Sequence, residues 1–279
     1  MEKINKYGRS FKLLRKQANL KLTHFRSLGI SPAALSNFEN GKSIVNFDKL
    51  IIMLKEISVT PNEYLSFIDE VKYIEYELLL EDFFIAIFSN KSTDLKKLQN
   101  KVIKHNEYTL YLAIKSTYSN LSSDEKAILS DYFDSIIYWR TLDLFSLFLS
   151  LKSLKIYQIT YTVKIIFLEK RSSFPTLGQK IIFSHIVTHI IIYLISMGDK
   201  KESQSILKLF SPLSYRHTME TKTLYEIASG FWIYKFLDPS SGVLKINKSL
   251  TIFDTLDISF ISKYYKKLLK ECASGLPID

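Results

Sequence analysis

The chain reads SPAALSNFENGKS over residues 31–43, and this stretch decides the fold of its N-terminal part. Ser31 is a favoured N-cap residue, and Pro32 follows at the first helical position, where its missing N–H costs nothing. Gly41 is the left-handed residue at which helices commonly end. The stretch therefore predicts a short helix with a sharp start and a sharp end.

Four further short helices are predicted on either side of this stretch. Gly29 ends the second helix, and Thr60 with Glu63 forms a capping box that opens the fifth. The first helix repeats apolar side chains at intervals of three and four residues, as an amphipathic helix does. The five predicted helices cover residues 7–18, 22–28, 31–41, 47–57 and a segment that begins at Thr60.

The positive charge of the chain is concentrated in these helices. Residues 1–66, called the head below, hold eleven Lys or Arg against five Asp or Glu and carry +6 of the net charge of +10 at pH 7. The 213 residues that follow carry only +4. A basic head on a nearly balanced body indicates that the head binds a polyanion, although a lysine-rich composition alone would also leave the whole chain mildly basic.

Two short helices joined by a tight turn inside such a domain form a helix-turn-helix. The stretch 31–43 resembles the third helix of phage-repressor-type (Xre/Cro) domains, in which Ser-x-x-x-Leu/Ile-Ser-x-Phe/Ile-Glu-x-Gly recurs. The resemblance implies a five-helix, lambda-repressor-like DNA-binding domain. It also implies that Glu39 pairs with Arg15 of the first helix. A DNA contact is the alternative role of Arg15.

The exposed face of the predicted third helix carries no cation. Alanine and asparagine side chains suit thymine methyl groups and adenine, whereas the affinity for DNA must come from phosphate contacts outside this helix and from dimerisation. Lys21 and Arg26 depart from the family pattern, which puts the packing of the second helix in doubt. The residues predicted to contact DNA are Arg9, Ser31, Ala33, Ala34, Asn37, Asn40 and Lys42.

The rest of the chain, residues 67–279, is predicted to be helical throughout. Helices in series, each long apolar helix followed by a short turn and a second amphipathic helix, predict a tetratricopeptide-like repeat domain, or α-solenoid. A compact, irregular helical domain is the alternative. The clearest predicted pairs are 176–196 with 201–210, and 219–236 with 243–253 across a Pro-Ser-Ser-Gly turn. Residues 181–197 are predicted to be a buried core helix rather than a membrane span.

With these repeats the resemblance extends over nearly the whole chain, to the Rgg/GadR/MutR group of Gram-positive transcriptional regulators. The segment 249–256, with its Leu-x-Ile-Phe-x-x-Leu run, and the Tyr-rich segment 264–269 resemble the closing repeat of that group. The resemblance implies an all-α, cytoplasmic homodimer that binds double-stranded promoter DNA. It further implies that a short signalling peptide binds the concave face of the repeat domain.

An extended peptide needs aromatic walls and a few polar or charged groups for its backbone or its carboxylate. The candidate peptide-binding residues are Tyr138, Arg140, Lys152, Lys155 and Tyr157, the last three placed on the helix that follows Arg140. The alternative is that the neighbouring Trp139 belongs to the core and that Arg140 is only a cation at a helix end.

No enzymatic chemistry is expected. The single cysteine, Cys272, excludes an intrachain disulfide, and the charged N-terminus lacks the pattern of a signal peptide. His185 and His189 lie one helical turn apart but have no third ligand, so they are predicted to be hydrogen-bonded residues rather than metal ligands. We expect no cofactor and no metal. Two other functions stay open, namely a regulator without a small ligand and a helical interaction scaffold that has lost DNA binding.

Overall fold

The computed structural model describes residues 2–68, 72–89, 92–103, 107–168, 174, 176–214 and 218–278. All of its described regular structure is helical, so the predicted all-α class is confirmed. The chain divides into two compact units, Met1–Glu81 and Asp82–Asp279. This division lies downstream of the boundary at 66/67 that the sequence predicts, which stays a prediction.

A 3-10 helix, Leu22–Leu28, follows the first of fifteen α-helices in the described residues. The α-helices are α1 (Glu2–Gln17), α2 (Pro32–Glu39), α3 (Phe47–Glu56), α4 (Pro61–Ile68), α5 (Lys72–Phe88), α6 (Ser92–Ile103), α7 (Tyr108–Lys115), α8 (Ser123–Ser135), α9 (Thr141–Ser150), α10 (Ile156–Leu168), α11 (Leu177–Ser196), α12 (Lys200–Ser214), α13 (Met219–Phe236), α14 (Pro239–Thr255) and α15 (Ser259–Cys272).

The five predicted helices of the head are present. The second is the 3-10 helix, and Lys21 at its N-cap makes no side-chain capping bond, which agrees with its departure from the family pattern. Gly29 ends it with a φ of 73°. Because a left-handed φ is strained for residues with a Cβ, glycine suits this turn.

An aromatic core holds the head together. The closest approach between two of its helices is at Gly8 of α1, where an added Cβ would lie 1.8 Å from the carbonyl oxygen of Phe38. The hydroxyl of Tyr64 on α4 donates to the backbone oxygen of Tyr7 at 2.6 Å. The core consists of Phe11, Phe25, Ile30, Leu35, Phe38, Met53, Leu54, Ile57 and Tyr64.

Helices of the second unit pack in series. The helices α7, α9, α11 and α13 contact one another in succession, and α6, α10 and α12 each pack against the helix that follows. The C-terminal helix α15 contacts both α14 and α11. This serial packing is that of a helical repeat domain, as the sequence predicts.

The central helix α11 is the only described helix long and apolar enough to cross a membrane. Of its apolar window, 78% is buried inside the protein, so the predicted buried core helix is confirmed. Thr176 and Gln179 form a capping box at its start, with 3.2 Å from the Gln179 nitrogen to the Thr176 hydroxyl.

Three predicted element boundaries are wrong. The Pro-Ser-Ser-Gly segment is the first turn of α14 and not a connection, because Asp238 accepts from the backbone of Ser241 at 2.9 Å and Pro239 occupies the first helical position. Helix α12 continues past the predicted end at residue 210 to Ser214. The third error concerns Lys152 and Lys155, which lie in the turn between α9 and α10 and not on a helix. The predicted break at Asn90, and most of that at 172–175, lie outside the described residues.

Candidate DNA-binding surface and repeat-domain cavities

The recognition helix of the head is α2. The Ser31 hydroxyl accepts from the backbone nitrogen of Ala34 at 3.1 Å and so caps its start. Leu35 and Phe38 are buried against the aromatic core, while Ala33, Ala34 and Asn37 lie on the side that faces away from this core. The helix is thereby held by one face and presents the other to solvent.

A buried ion pair fixes α2 to α1. The Arg15 Nε atom donates to Glu39 at 2.6 Å, and its Nη2 atom donates to the second carboxylate oxygen at 2.8 Å. The Nη1 atom donates to the carbonyl of Leu20 at 2.5 Å. Arg15 is 6% exposed and Glu39 2%. The predicted structural pairing is confirmed, and burial leaves Arg15 no surface for a DNA contact.

Cations surround α2 rather than lying on it. Arg9 of α1 is exposed, and Lys42 follows directly after Gly41 at the end of the helix. Lys12, which lies three residues after Arg9, donates to the Asn40 side-chain oxygen at 3.1 Å and was absent from the predicted site. Its spacing from Arg9 on an amphipathic helix is the signal that could have found it. Asn40 is correspondingly engaged within the head.

In the repeat domain, Arg140 forms the centre of a charged network. Its guanidinium donates to Glu107 at 2.8 Å and to Asp143 at 2.8 Å. The Tyr132 hydroxyl also donates to Asp143, at 2.6 Å. Hydrogen bonds from Asp143 and then Glu107 raise the pKa of Arg140. Arg140 is therefore more than a helix-terminal cation, because it joins the start of α7 to the start of α9.

The other predicted peptide-binding residues lie apart. Tyr138 is exposed, and the half-buried Trp139 stacks on Phe133 with ring centroids 6.1 Å apart. Tyr157 lines an open cavity of about 560 Å³, whereas Lys152 lines two other cavities of about 190 Å³ and 440 Å³. Lys155 lies over the ring of Tyr157 at 5.9 Å. The structure thus brings Lys155 and Tyr157 together and places Lys152 at different cavities.

Comparison with known families finds a helix-turn-helix model matching residues 11–64, which include the capped helix, the buried ion pair and the turn described above. The head is a helix-turn-helix DNA-binding domain. The comparison with curated proteins finds no match.

Solved structures extend the likeness to the whole chain. The SHP pheromone receptor Rgg2 of Streptococcus dysgalactiae is similar with a TM-score of 0.75 and 18% identity, over 95% of this chain and 100% of that one. The PrgX/iCF10 complex gives 0.66 and 14%, over 98% of both chains. A bacterial peptide pheromone/receptor complex gives 0.65 and 14%, over 96% and 99%.

The predicted resemblance to Rgg-type proteins is therefore confirmed in fold, from the helix-turn-helix domain through the helical repeats. This domain and this fold are those of transcriptional regulators.

The two histidines of α11 are hydrogen-bonded, as predicted. His185 contacts Glu220 through Nε2 at 2.9 Å and Tyr265 through Nδ1 at 2.7 Å. His189 contacts the carbonyl of His185 at 2.8 Å and the hydroxyl of Tyr264 at 2.9 Å. Burial lowers the pKa of His189 to about 3, so the ring is neutral and Tyr264 donates to it. Their ring nitrogens thus have protein partners, and the described residues contain no group of three metal-ligating side chains.

Proposed function

We propose that this protein is an Rgg-type transcriptional regulator that acts in the cytoplasm as a homodimer and responds to a short signalling peptide. The observation that carries the proposal is the recognition helix. The buried Arg15–Glu39 pair and the Ser31 cap hold it rigidly, and its polar side is exposed beside the cations of a basic head. DNA recognition requires such a rigid support.

In the proposed complex, α2 lies in the major groove. Ala33 and Ala34 contact thymine methyl groups, and Asn37 forms a bidentate pair with adenine. Within the described part of the head, Asn37 has no side-chain hydrogen bond that would compete with this contact. Arg9 and Lys42 bind phosphates on either side of the helix. Ser31 and Asn40 belong to this surface through the cap and through the contact with Lys12.

The proposed peptide site lies in the repeat domain, residues 67–279. The solved relatives support it, because they include a pheromone receptor and two complexes of peptide-pheromone type. The predicted residues Tyr138, Arg140, Lys152, Lys155 and Tyr157 remain candidates for it. Since Arg140 is engaged by Glu107 and Asp143, a peptide that uses this guanidinium has to share it with two carboxylates.

The proposal is tested by the affinity of the full-length protein for duplex DNA at several salt concentrations. Arg9→Ala and Lys42→Ala should each weaken binding to all sequences alike. Each should also flatten the salt dependence by about one unit for every phosphate that the variant no longer neutralises. Lys208→Ala, an exposed lysine of the repeat domain, is the matched control and should change nothing. Slopes that are the same in all four proteins would remove Arg9 and Lys42 from the interface.

Peptide control needs a separate experiment. The protein is purified from its native host, the small molecules that it carries are released and identified, and their effect on the genomic footprint is measured. A bound peptide that alters the footprint supports the proposal. A footprint without any peptide indicates a regulator with no small ligand, and the absence of a footprint indicates an interaction scaffold.

A further inference from the structure

A small cavity of about 190 Å³ lies among α5, α6, α7, α9, α11 and α15 of the second unit. Most of its wall is apolar, contributed by Ile87, Leu95, Phe148, Leu149 and Leu151. We call it the inner cavity. A cavity of about 150 Å³ with such a lining can hold a ligand the size of benzene, so the inner cavity has room for one small apolar group.

Most polar groups around the inner cavity already have partners within the protein. The Ser116 hydroxyl donates to the carbonyl oxygen of Ala113 at 2.7 Å, and the Thr117 hydroxyl donates to that of Ile114 at 2.8 Å. Tyr264 donates to His189, as described above. These groups are therefore committed to the fold and do not require a ligand.

The hydroxyl of Tyr193 is different. Its oxygen is buried, and none of the described residues supplies it with a hydrogen-bond partner. A buried hydroxyl without a partner is costly, and native proteins rarely leave one. Burial also raises the pKa of Tyr193, so the group stays a donor. The inner cavity thus offers one hydrogen bond to an acceptor that the chain itself does not provide.

A cation stands at the same cavity. Lys152 lines the inner cavity and also a neighbouring cavity of about 440 Å³, the outer cavity, which Lys263 and Lys267 line as well. The Lys152 ammonium is 3.4 Å from a carboxylate oxygen of Glu271, and its side chain is 66% exposed. An exposed pair of this kind contributes little energy, so Lys152 remains able to bind another anion.

We propose that the inner cavity is a binding site for a carboxylate that carries a small apolar group. The carboxylate accepts the Tyr193 hydrogen bond and lies against the Lys152 ammonium, while the apolar group packs among the aliphatic side chains of the wall. The carboxylate belongs either to a free short-chain acid or to the C-terminal residue of a peptide whose preceding residues occupy the outer cavity. The proposal deepens the ligand-binding part of the proposed function and does not depend on DNA binding.

The test measures the binding of four probes to the full-length protein by calorimetry and saturation-transfer NMR. Sodium hexanoate and the tripeptide Leu-Leu-Leu carry a carboxylate, whereas hexan-1-ol and the C-terminal amide of the same tripeptide do not. We expect at least one carboxylate probe to bind about tenfold or more tightly than its neutral counterpart, the difference expected for a charge-assisted hydrogen bond. Binding of hexanoate alone identifies a free acid as the source, and binding of the tripeptide identifies a peptide terminus.

Variants locate the site. Tyr193→Phe removes only the hydroxyl, and Lys152→Met removes only the charge, so each should weaken the carboxylate probe about tenfold, while the thermal unfolding midpoint shows that the protein stays folded. Tyr161→Phe and Lys155→Met are the matched controls, a tyrosine of another cavity and a lysine three residues from Lys152, and should bind as the wild type does. Equal binding of acid and alcohol, binding insensitive to Tyr193→Phe, or no binding of either carboxylate would overturn the proposal.

Discussion

At the scale of single residues, Arg15 and Glu39 decide whether the recognition helix is held in place. Both side chains are buried and joined by two hydrogen bonds. Removing one partner of such a pair leaves an uncompensated buried charge. We therefore expect Arg15→Leu to lower the free energy of unfolding of the head by about 3–5 kcal/mol, measured by urea denaturation of the full-length protein.

The double variant Arg15→Leu/Glu39→Leu is the control for this prediction. Because it leaves no unpaired charge, it should be less destabilised than either single variant. Additive losses in the double variant would contradict the account of a coupled buried pair.

His189 should make the stability of the second unit depend on pH. Burial lowers the pKa of its ring to about 3, whereas the unfolded chain titrates near 6.5. Between these values the unfolded state binds a proton that the folded state refuses, so stability rises with pH and is lost on acidification below pH 6.5. From pH 6.5 to 5.0 the loss due to His189 should be about 1–2 kcal/mol.

Denaturation midpoints at several pH values in this range check the prediction. His189→Gln removes the titrating group, so its stability should fall less steeply with acid than that of the wild type, whatever its stability at pH 7. Parallel curves for the two proteins would contradict a neutral, buried His189.

The sequence predicts some of these side-chain contacts and not others. Arg15 and Glu39 both occur in motifs with a recognisable pattern, so their pairing could be predicted. The contact of His185 with Tyr265 joins residues 80 positions apart, and no local spacing indicates it. Likewise, Glu107 lies 33 residues before Arg140, and the network between them depends on how α7 and α9 pack.

At the scale of elements, α13 and α14 form a close helical pair through Gly242. A Cβ at this position would lie 2.4 Å from the backbone nitrogen of Tyr234, so the helices would have to separate. We expect Gly242→Ala to lower the free energy of unfolding by about 1–3 kcal/mol or more. Gly178 on α11 has nothing within 4 Å of its added Cβ, so Gly178→Ala is the matched control and should leave the thermal midpoint unchanged or slightly raised. Equal effects of the two substitutions would contradict this close packing.

Helix boundaries could be predicted where a capping residue marks them. Ser31, Thr60 and Ser122 all open helices as predicted. The Pro-Ser-Ser-Gly segment was misassigned because a glycine and a proline together suggest a turn, although Asp238 before the proline is itself an N-cap signal. The turn at Lys152 contains neither proline nor glycine, so no breaker residue marked it.

At the scale of the whole molecule, the fold could be predicted because helical periodicity and capping signals recur along the chain. The peptide-binding residues could not be located in the same way, because a groove is formed by helices distant in sequence. The predicted homodimer follows from the recognition helix, since a single helix without a cation provides weak specific binding and two half-sites multiply it. Sedimentation of the full-length protein should show a dimer at micromolar concentration. A monomer at tens of micromolar would count against the model.

The central claim is that α2 reads DNA, and sequence selection tests it most directly. The full-length protein is used to select bound duplexes from a random library, in parallel with Asn37→Ala. We predict two symmetric half-sites, rich in A·T pairs under α2, about one or more helical turns apart. Asn37→Ala should lose discrimination at one base pair in each half-site, at about 1–3 kcal/mol. A consensus dominated by G·C pairs under α2, or one unchanged in Asn37→Ala, would contradict the account.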